Sequence, residues 1–388
     1  MTWNKLNPQT PFYLFIPQNE KIRDEYNQFL SVRDIFIKSG GGICSQRDNI
    51  VFQKTKKEIK KLLHDFSTKD KNYLYAEYKI GDDSRDWKLD SAQKAVRENI
   101  GNFDSFIMQC HYRPFDFRWT YYVGKSRAFM AYPVFDIFQH FSIKTNKALL
   151  ISRQESAMGD ENPNPNFVTN KIVDLNFYRR GGVQVLPLYL DSSKITQKDL
   201  LGEQQSGMVE NFTESFRKFI DEKYQTHFSP EIILGYIYAV LYHQEYRTKY
   251  IDFLKIDFPK IPFVDDKKVF QKLSDLGNHL IDLHLMKIIP NNHIGEPLFE
   301  KENRNTIIEK NRFDENKKRL FINESLYFDK VEKAVWEYKI GGYQVLDKYL
   351  KSHKNEIIDF EHFENIIKVL SETLKIEKEI AKIDIFPR

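Results

Sequence analysis

The spacing of apolar and polar positions changes twice along the chain. Over residues 1–105 it is mixed. Pro11 to Pro17, PFYLFIP, is a short apolar run between prolines and reads as a buried strand or extended segment. Glu20 to Phe29 and Lys54 to Phe66 carry helical spacing, and Asp34-Ile35-Phe36-Ile37 is a short apolar run leading into Gly40-Gly41-Gly42, which reads as a turn. Over 106–225 the runs shorten and alternate with polar breaks: FIMQCHY, FRWTYYV, KALLIS, NFVTNKIV and VQVLPLYL all predict strands. Asp191 to Gly207 is polar and reads as an exposed linker.

From 226 to 388 helices dominate. Ser229-Pro230 is an N-cap followed by a first-turn proline, and EIILGYIYAVLYHQEYRTKY then runs to Tyr250 with helical periodicity. Prolines in Phe258 to Pro262 stop that block. Lys268 to Ile288 is a second apolar-striped helix, and Phe360 to Ile385 a third, amphipathic one. The charged stretch between Glu300 and Lys330 reads as a hairpin excursion. EYKIG occurs at Glu77–Gly81 and at Glu337–Gly341, but the flanks differ, so no repeat is inferred. The pattern predicts an α+β protein in three regions: an α/β connector (1–105), a strand-rich region (106–225) and a mainly helical region (226–388).

Composition narrows the function classes. With 41% hydrophobic and 29% charged residues the chain is globular, not disordered. No apolar run nears the roughly 20 residues of a membrane helix, and Met1-Thr2-Trp3-Asn4-Lys5 is not a signal peptide, so a cytoplasmic protein without membrane partners is expected. Two distant cysteines, Cys44 and Cys110, argue against a disulfide scaffold or zinc site. The net charge of +4 does not demand nucleic acid, so a phosphate-binding face would have to come from local clustering.

Signatures of catalysis are missing. The glycines at 40–42 lack a following Lys-Ser/Thr and the GxGxxG spacing of a phosphate cradle. Asn162-Pro163-Asn164-Pro165 lacks the adjacent prolines of a base-holding Asn-Pro-Pro turn. Glu58-Ile59-Lys60 fits half of a metal-nuclease pattern, a triplet common in charged helices. His111, His140, His243, His279 and His284 lie singly among apolar residues, as core or surface histidines do.

One stretch is chemically distinctive. In HYRPFDFRWTYYVGKSR, residues 111–127, Arg113, Arg118, Lys125 and Arg127 interleave with Tyr112, Phe115, Phe117, Trp119, Tyr121 and Tyr122. Guanidinium forks suit phosphates and guanine edges, and the rings can pack on guanidinium groups or bases. A structural role, with Arg113 paired to Asp116 or capping a neighbour, is favoured for those two residues.

Tyr112-Arg113-Pro114-Phe115-Asp116 followed by Arg118-Trp119-Thr120-Tyr121-Tyr122 resembles a motif of the C-terminal specificity region of type ISP and type IIG restriction–modification enzymes. Further blocks are similar and stand in the family's order: Pro11 to Glu20, Gly42-Ile43 with Arg47-Asp48-Asn49, Ser126 to Phe129, Gln139-His140-Phe141, Ile151 to Gln154, Pro187 to Leu190, Ser229 to Leu241, Phe258 to Pro262, Leu276-Gly277, Leu283-His284-Leu285 and Gly341 to Leu346. The resemblance implies a module that docks on duplex DNA and reads base edges, its strand-rich region at the DNA and residues 229–290 as a helical clamp or coupler. It also implies a partner, a methyltransferase or nuclease domain or subunit, with S-adenosylmethionine belonging to the methyltransferase and no cofactor to this chain. The family's catalytic parts have no counterpart in this sequence, so no catalytic residue is carried over. The expected DNA face comprises Arg113, Arg118, Lys125, Arg127, Arg153, Gln154, Arg179 and Arg180. Alternatives from other classes are a nonspecific single-strand binder using aromatic platforms and a nuclease with an unrecognised metal site.

Overall fold

The computed structural model describes residues 19–142, 145–153, 155, 164–179, 181–194, 207–300 and 304–386, and the fold is α+β with several small sheets. Pro11 to Pro17 lies outside the described residues.

In the first region the helix Lys56–Thr68 begins with a capping box, in which Thr55 and Glu58 satisfy each other's backbone N–H groups. Ile59, Leu62, Leu63 and Phe66 face inward at helical spacing and Lys56, Lys57, Lys60 and Lys61 face out. Glycines 40–42 are not a turn. Gly40–Gly41 is an edge strand paired antiparallel with Val185 and Gln184, and a Cβ on Gly42 would lie 2.7 Å from the backbone nitrogen of Leu175. Close backbone approach at Gly42 and the Ile137 side chain packed on Gly40, not a reversal, call for small residues here.

The strand-rich region holds two sheets. One orders Asp116–Tyr121, Ile107–Arg113 and Ile172–Val173, antiparallel and then parallel. The other orders Gly40–Gly41, Gln184–Pro187, Ala148–Ile151 and Phe167–Thr169, all antiparallel. The turn at residues 170–171 carries the chain from one sheet to the other. Residues 191 and 207, the ends of the expected linker, are held close: Tyr189–Asp191 pairs with Met208–Glu210, while 195–206 lie outside the described residues.

Helix Pro230–Tyr242 is the centre of the helical region, buried at every position from Ile233 onward. It crosses helix Lys267–His284 at two glycines; a Cβ on Gly277 would stand 1.8 Å from the carbonyl oxygen of Gly235. The expected helix to Tyr250 breaks at His243, where the backbone is extended. The ring causes the restart: Nε2 donates to Ile383 O at 2.9 Å and Nδ1 accepts from Tyr246 N, capping a new helix, Gln244–Lys249. The charged excursion is part of a four-stranded antiparallel sheet ordered Pro297–Phe299, Leu326–Phe328, Arg319–Phe321 and Arg312–Asp314. Helix Phe360–Ile380 closes the fold. The two EYKIG copies differ in structure: the first ends helix Lys71–Tyr78, the second supplies strand Lys339–Ile340.

Candidate nucleic-acid interface

Strands Ile107–Arg113 and Asp116–Tyr121 form a hairpin whose tip is Arg113-Pro114-Phe115-Asp116. Phe115 adopts a left-handed φ of 60°, an uncommon state for an aromatic residue, and the surroundings hold it there. Its ring is buried, edge-on to Phe167 and His284, and its carbonyl accepts from His362 Nε2 at 2.7 Å.

The flanking charges pair, but not with each other. Arg113 donates to Asp174 at 2.7 Å and its guanidinium lies 3.9 Å from the centre of the Tyr112 ring. Tyr112 Oη donates to Asp48 at 3.0 Å. Asp116 accepts from Arg118 at 2.9 Å and from Ser352 Oγ at 3.2 Å, with His353 Nε2 3.4 Å away. Burial works against the Asp116 carboxylate, but the His353 hydrogen bond and the Arg118 charge outweigh it and hold the group below the usual range. The hairpin tip thus joins the connector (Asp48), the strand region (Asp174) and the helical region (His284, Ser352, His353, His362).

This placement divides the expected DNA-contacting residues. Arg118 is interior, with 5% of its side chain exposed, and Arg113 is largely covered; both guanidinium groups are committed to carboxylates. Tyr121 and Tyr122 are core residues, so they offer no platform for bases. Lys125, Arg127, Arg153 and Arg179 are exposed. Lys125 meets Glu98 at 3.3 Å and Arg127 meets Asp86 at 3.1 Å, both on the loop after the hairpin. Arg153 reaches Asp257 of the helical region at 3.7 Å. Arg179 ends a turn with φ of 74°, and its backbone N–H donates to Asn176 O. These four residues meet different parts of the fold. Gln154 and Arg180 lie outside the described residues.

Sequence reasoning did not single out Asp174, Ser352, His353 or His362 as the tip's partners, and no local spacing marks them, since each is brought in by the tertiary fold. The half-nuclease triplet is absorbed by structure: Glu58 caps its helix and Lys60 pairs with Asp104. Among the described residues no group of His, Cys, Asp or Glu side chains could hold a metal ion, Cys44 and Cys110 are free thiols, and no helix is long and apolar enough to cross a membrane.

The fold has relatives of known structure. It aligns with the ATP-dependent Type ISP restriction-modification enzyme LlaBIII bound to DNA, at 19% identity and a TM-score of 0.66, over 93% of this chain and 24% of that one. A nuclease-deletion mutant of the Type ISP restriction-modification enzyme LlaGI in complex with a DNA substrate mimic aligns at 19% identity and 0.66, over 98% of this chain and 30% of that one. The DrdV–DNA complex aligns at 21% identity and 0.67, over 97% and 39%. The chain therefore spans well under half of each. No curated protein matches. A family model described as the Type ISP C-terminal specificity domain matches residues 34–379, nearly the whole described fold, and the chain belongs to that family.

Proposed function

We propose that this chain reads a short sequence in duplex DNA and supplies target choice to a restriction–modification adenine methyltransferase whose catalytic machinery lies in another domain or subunit. Family membership over residues 34–379 carries this reading. S-adenosylmethionine belongs to the methyltransferase part, which would take the target adenine out of the stack. The chain's own work is docking and discrimination. Lys125, Arg127, Arg153 and Arg179 are the exposed basic candidates for phosphate or base contact, while Arg113 and Arg118 hold the hairpin that positions its neighbours.

Selection of a random duplex library on the purified chain at about 150 mM salt, where phosphate-only binding is weak, tests this. Enrichment of one motif is the expected result. Equal recovery of all sequences, or equal affinity for single strands, would remove sequence reading from this chain.

A further inference from the structure

Asp86 is an interior carboxylate with two arginines on it. Nε and Nη2 of Arg85 donate to its Oδ2 at 3.0 and 2.8 Å. Nε of Arg127 donates to its Oδ1 at 3.2 Å, with Nη2 3.1 Å away. Only 5% of the Asp86 side chain is exposed, against 85% for Arg85 and 63% for Arg127. The carboxylate thus holds both guanidinium groups from beneath, each by its Nε–Nη2 edge, and leaves their outer donors to the solvent. A guanidinium carries five N–H donors in a fixed fork, more than Asp86 takes from either. One carboxylate shared by two arginines also leaves one positive charge over.

The segments that carry the trio are fixed to one another. Trp87 is fully buried and donates Nε1 to Phe129 O at 3.0 Å, tying the Asp86 loop to the Arg127 loop. Ser84 Oγ accepts from the Trp87 N–H at 3.1 Å, and the Ser84 N–H donates to Trp87 O at 2.9 Å. Arg127 has a left-handed φ of 53°, and its N–H closes the loop on Ala131 O at 2.8 Å. Tyr132 then pairs through its backbone with Cys44 of the connector. From that side Arg47 lays its guanidinium over the Trp87 ring, 5.2 Å from the centre, as a further cation. Of the other acids on the Asp86 loop, Asp83 accepts from the Leu89 N–H at 3.0 Å and Asp82 offers its carbonyl to Arg47.

Two guanidinium groups fixed on the two oxygens of one carboxylate repel each other. An anion with two oxygens of its own, arriving on the outer side, offsets that repulsion. A phosphodiester presents two non-bridging oxygens, one for each fork. Resting on the function proposed above, we infer that Arg85 and Arg127, joined on Asp86, form a clamp for one backbone phosphate of duplex DNA. This contact sets register on the duplex and does not read bases.

Two measurements on the full chain test it. Binding to a short duplex is followed from about 50 to 200 mM salt for wild type, the double variant Arg85→Gln/Arg127→Gln, and Lys218→Gln, which removes one charge from an exposed lysine on another helix. One shared phosphate lowers the slope of log affinity against log salt by about 0.9 in the double variant, while Lys218→Gln follows wild type. A fall of about 1.8 would assign each arginine its own phosphate and overturn the clamp, as would an unchanged slope or an equal fall in Lys218→Gln. Separately, phenylglyoxal modification of wild-type arginines is mapped by mass spectrometry, which needs no variant to fold. Duplex is expected to protect Arg85 and Arg127 together, and inorganic phosphate at equal phosphate concentration is not. Unchanged modification of either arginine while wild type demonstrably binds duplex overturns the inference alone. Equal protection by inorganic phosphate also overturns it, because the site would then hold a free ion. A wild-type chain that binds no duplex overturns the function on which the inference rests, and the inference with it.

Discussion

Asp174 links the strand region to the signature hairpin through Arg113, and the cost of its burial has a measurable pH signature. Burial pushes its carboxyl up from the ordinary 3.8 to about 6, even with the Arg113 guanidinium beside it. A carboxyl whose pKa is higher in the folded chain than in the unfolded one favours the fold most when protonated. Its contribution is complete below about pH 4 and is lost as pH rises through 6, amounting to on the order of 3 kcal/mol. Asp174→Asn does not titrate. The stability of wild type relative to Asp174→Asn, from urea unfolding, should therefore fall between pH 4 and pH 7; a constant difference across that window would mean that Asp174 ionises there as freely as in the unfolded chain. The same residue shows what sequence can and cannot say. A structural role for Arg113 and Asp116 follows from the Arg-Pro-Phe-Asp turn, but their true partners lie 61 residues on for Arg113 and two residues on for Asp116. Only the fold selects Asp174, since nothing near it in sequence distinguishes it from other aspartates.

Elements were legible where local rules decide them. The strand runs between 106 and 190 and the helix read over Lys54 to Phe66 follow from periodicity, and the Ser229-Pro230 helix start follows from capping chemistry. They were not legible where one tertiary contact decides. The break at His243 depends on Ile383 O, supplied from the far end of the chain, and the strand at Gly40–Gly41 depends on an edge offered by residues 184–185. Helix crossing is the other such case. Gly235 and Gly277 sit inside strong helical patterns, where glycine costs about 1 kcal/mol relative to alanine, and the structure supplies the compensation: the two backbones touch. Gly277→Ala should therefore destabilise the protein despite alanine's better propensity, by roughly 3 kcal/mol, because the added methyl meets backbone and not a movable side chain. Denaturant unfolding measures this; a neutral or stabilising result would mean that the helices separate without loss.

At the scale of the whole molecule, the buried contacts run across the regions that composition distinguishes. The Phe115 and Phe167 rings of the strand region close on His284 of the helical region. His284 in turn bonds Tyr238 Oη at 2.6 Å and Thr373 Oγ1 at 3.1 Å, and burial drives its pKa down to about 3, so it works as a neutral core group. Tyr242 Oη donates to Asn166 O at 2.7 Å, and Arg247 makes a buried ion pair with Glu155 at 2.7 Å. Removing residues 226–388 would expose these rings and leave the Asp116 and Glu155 carboxylates without His353 and Arg247. Taking one partner from a buried pair costs about 3–5 kcal/mol, a large share of the roughly 5–15 kcal/mol that holds a typical domain together. A fragment of residues 1–225 is therefore expected to lack a cooperative thermal transition and fixed aromatic packing in near-ultraviolet circular dichroism, while the full chain shows both. A fragment that unfolds cooperatively would establish that the strand region needs no helical support. The expected result has a functional consequence: the hairpin tip keeps its geometry only within the whole fold, so DNA-binding variants must be compared in the full chain.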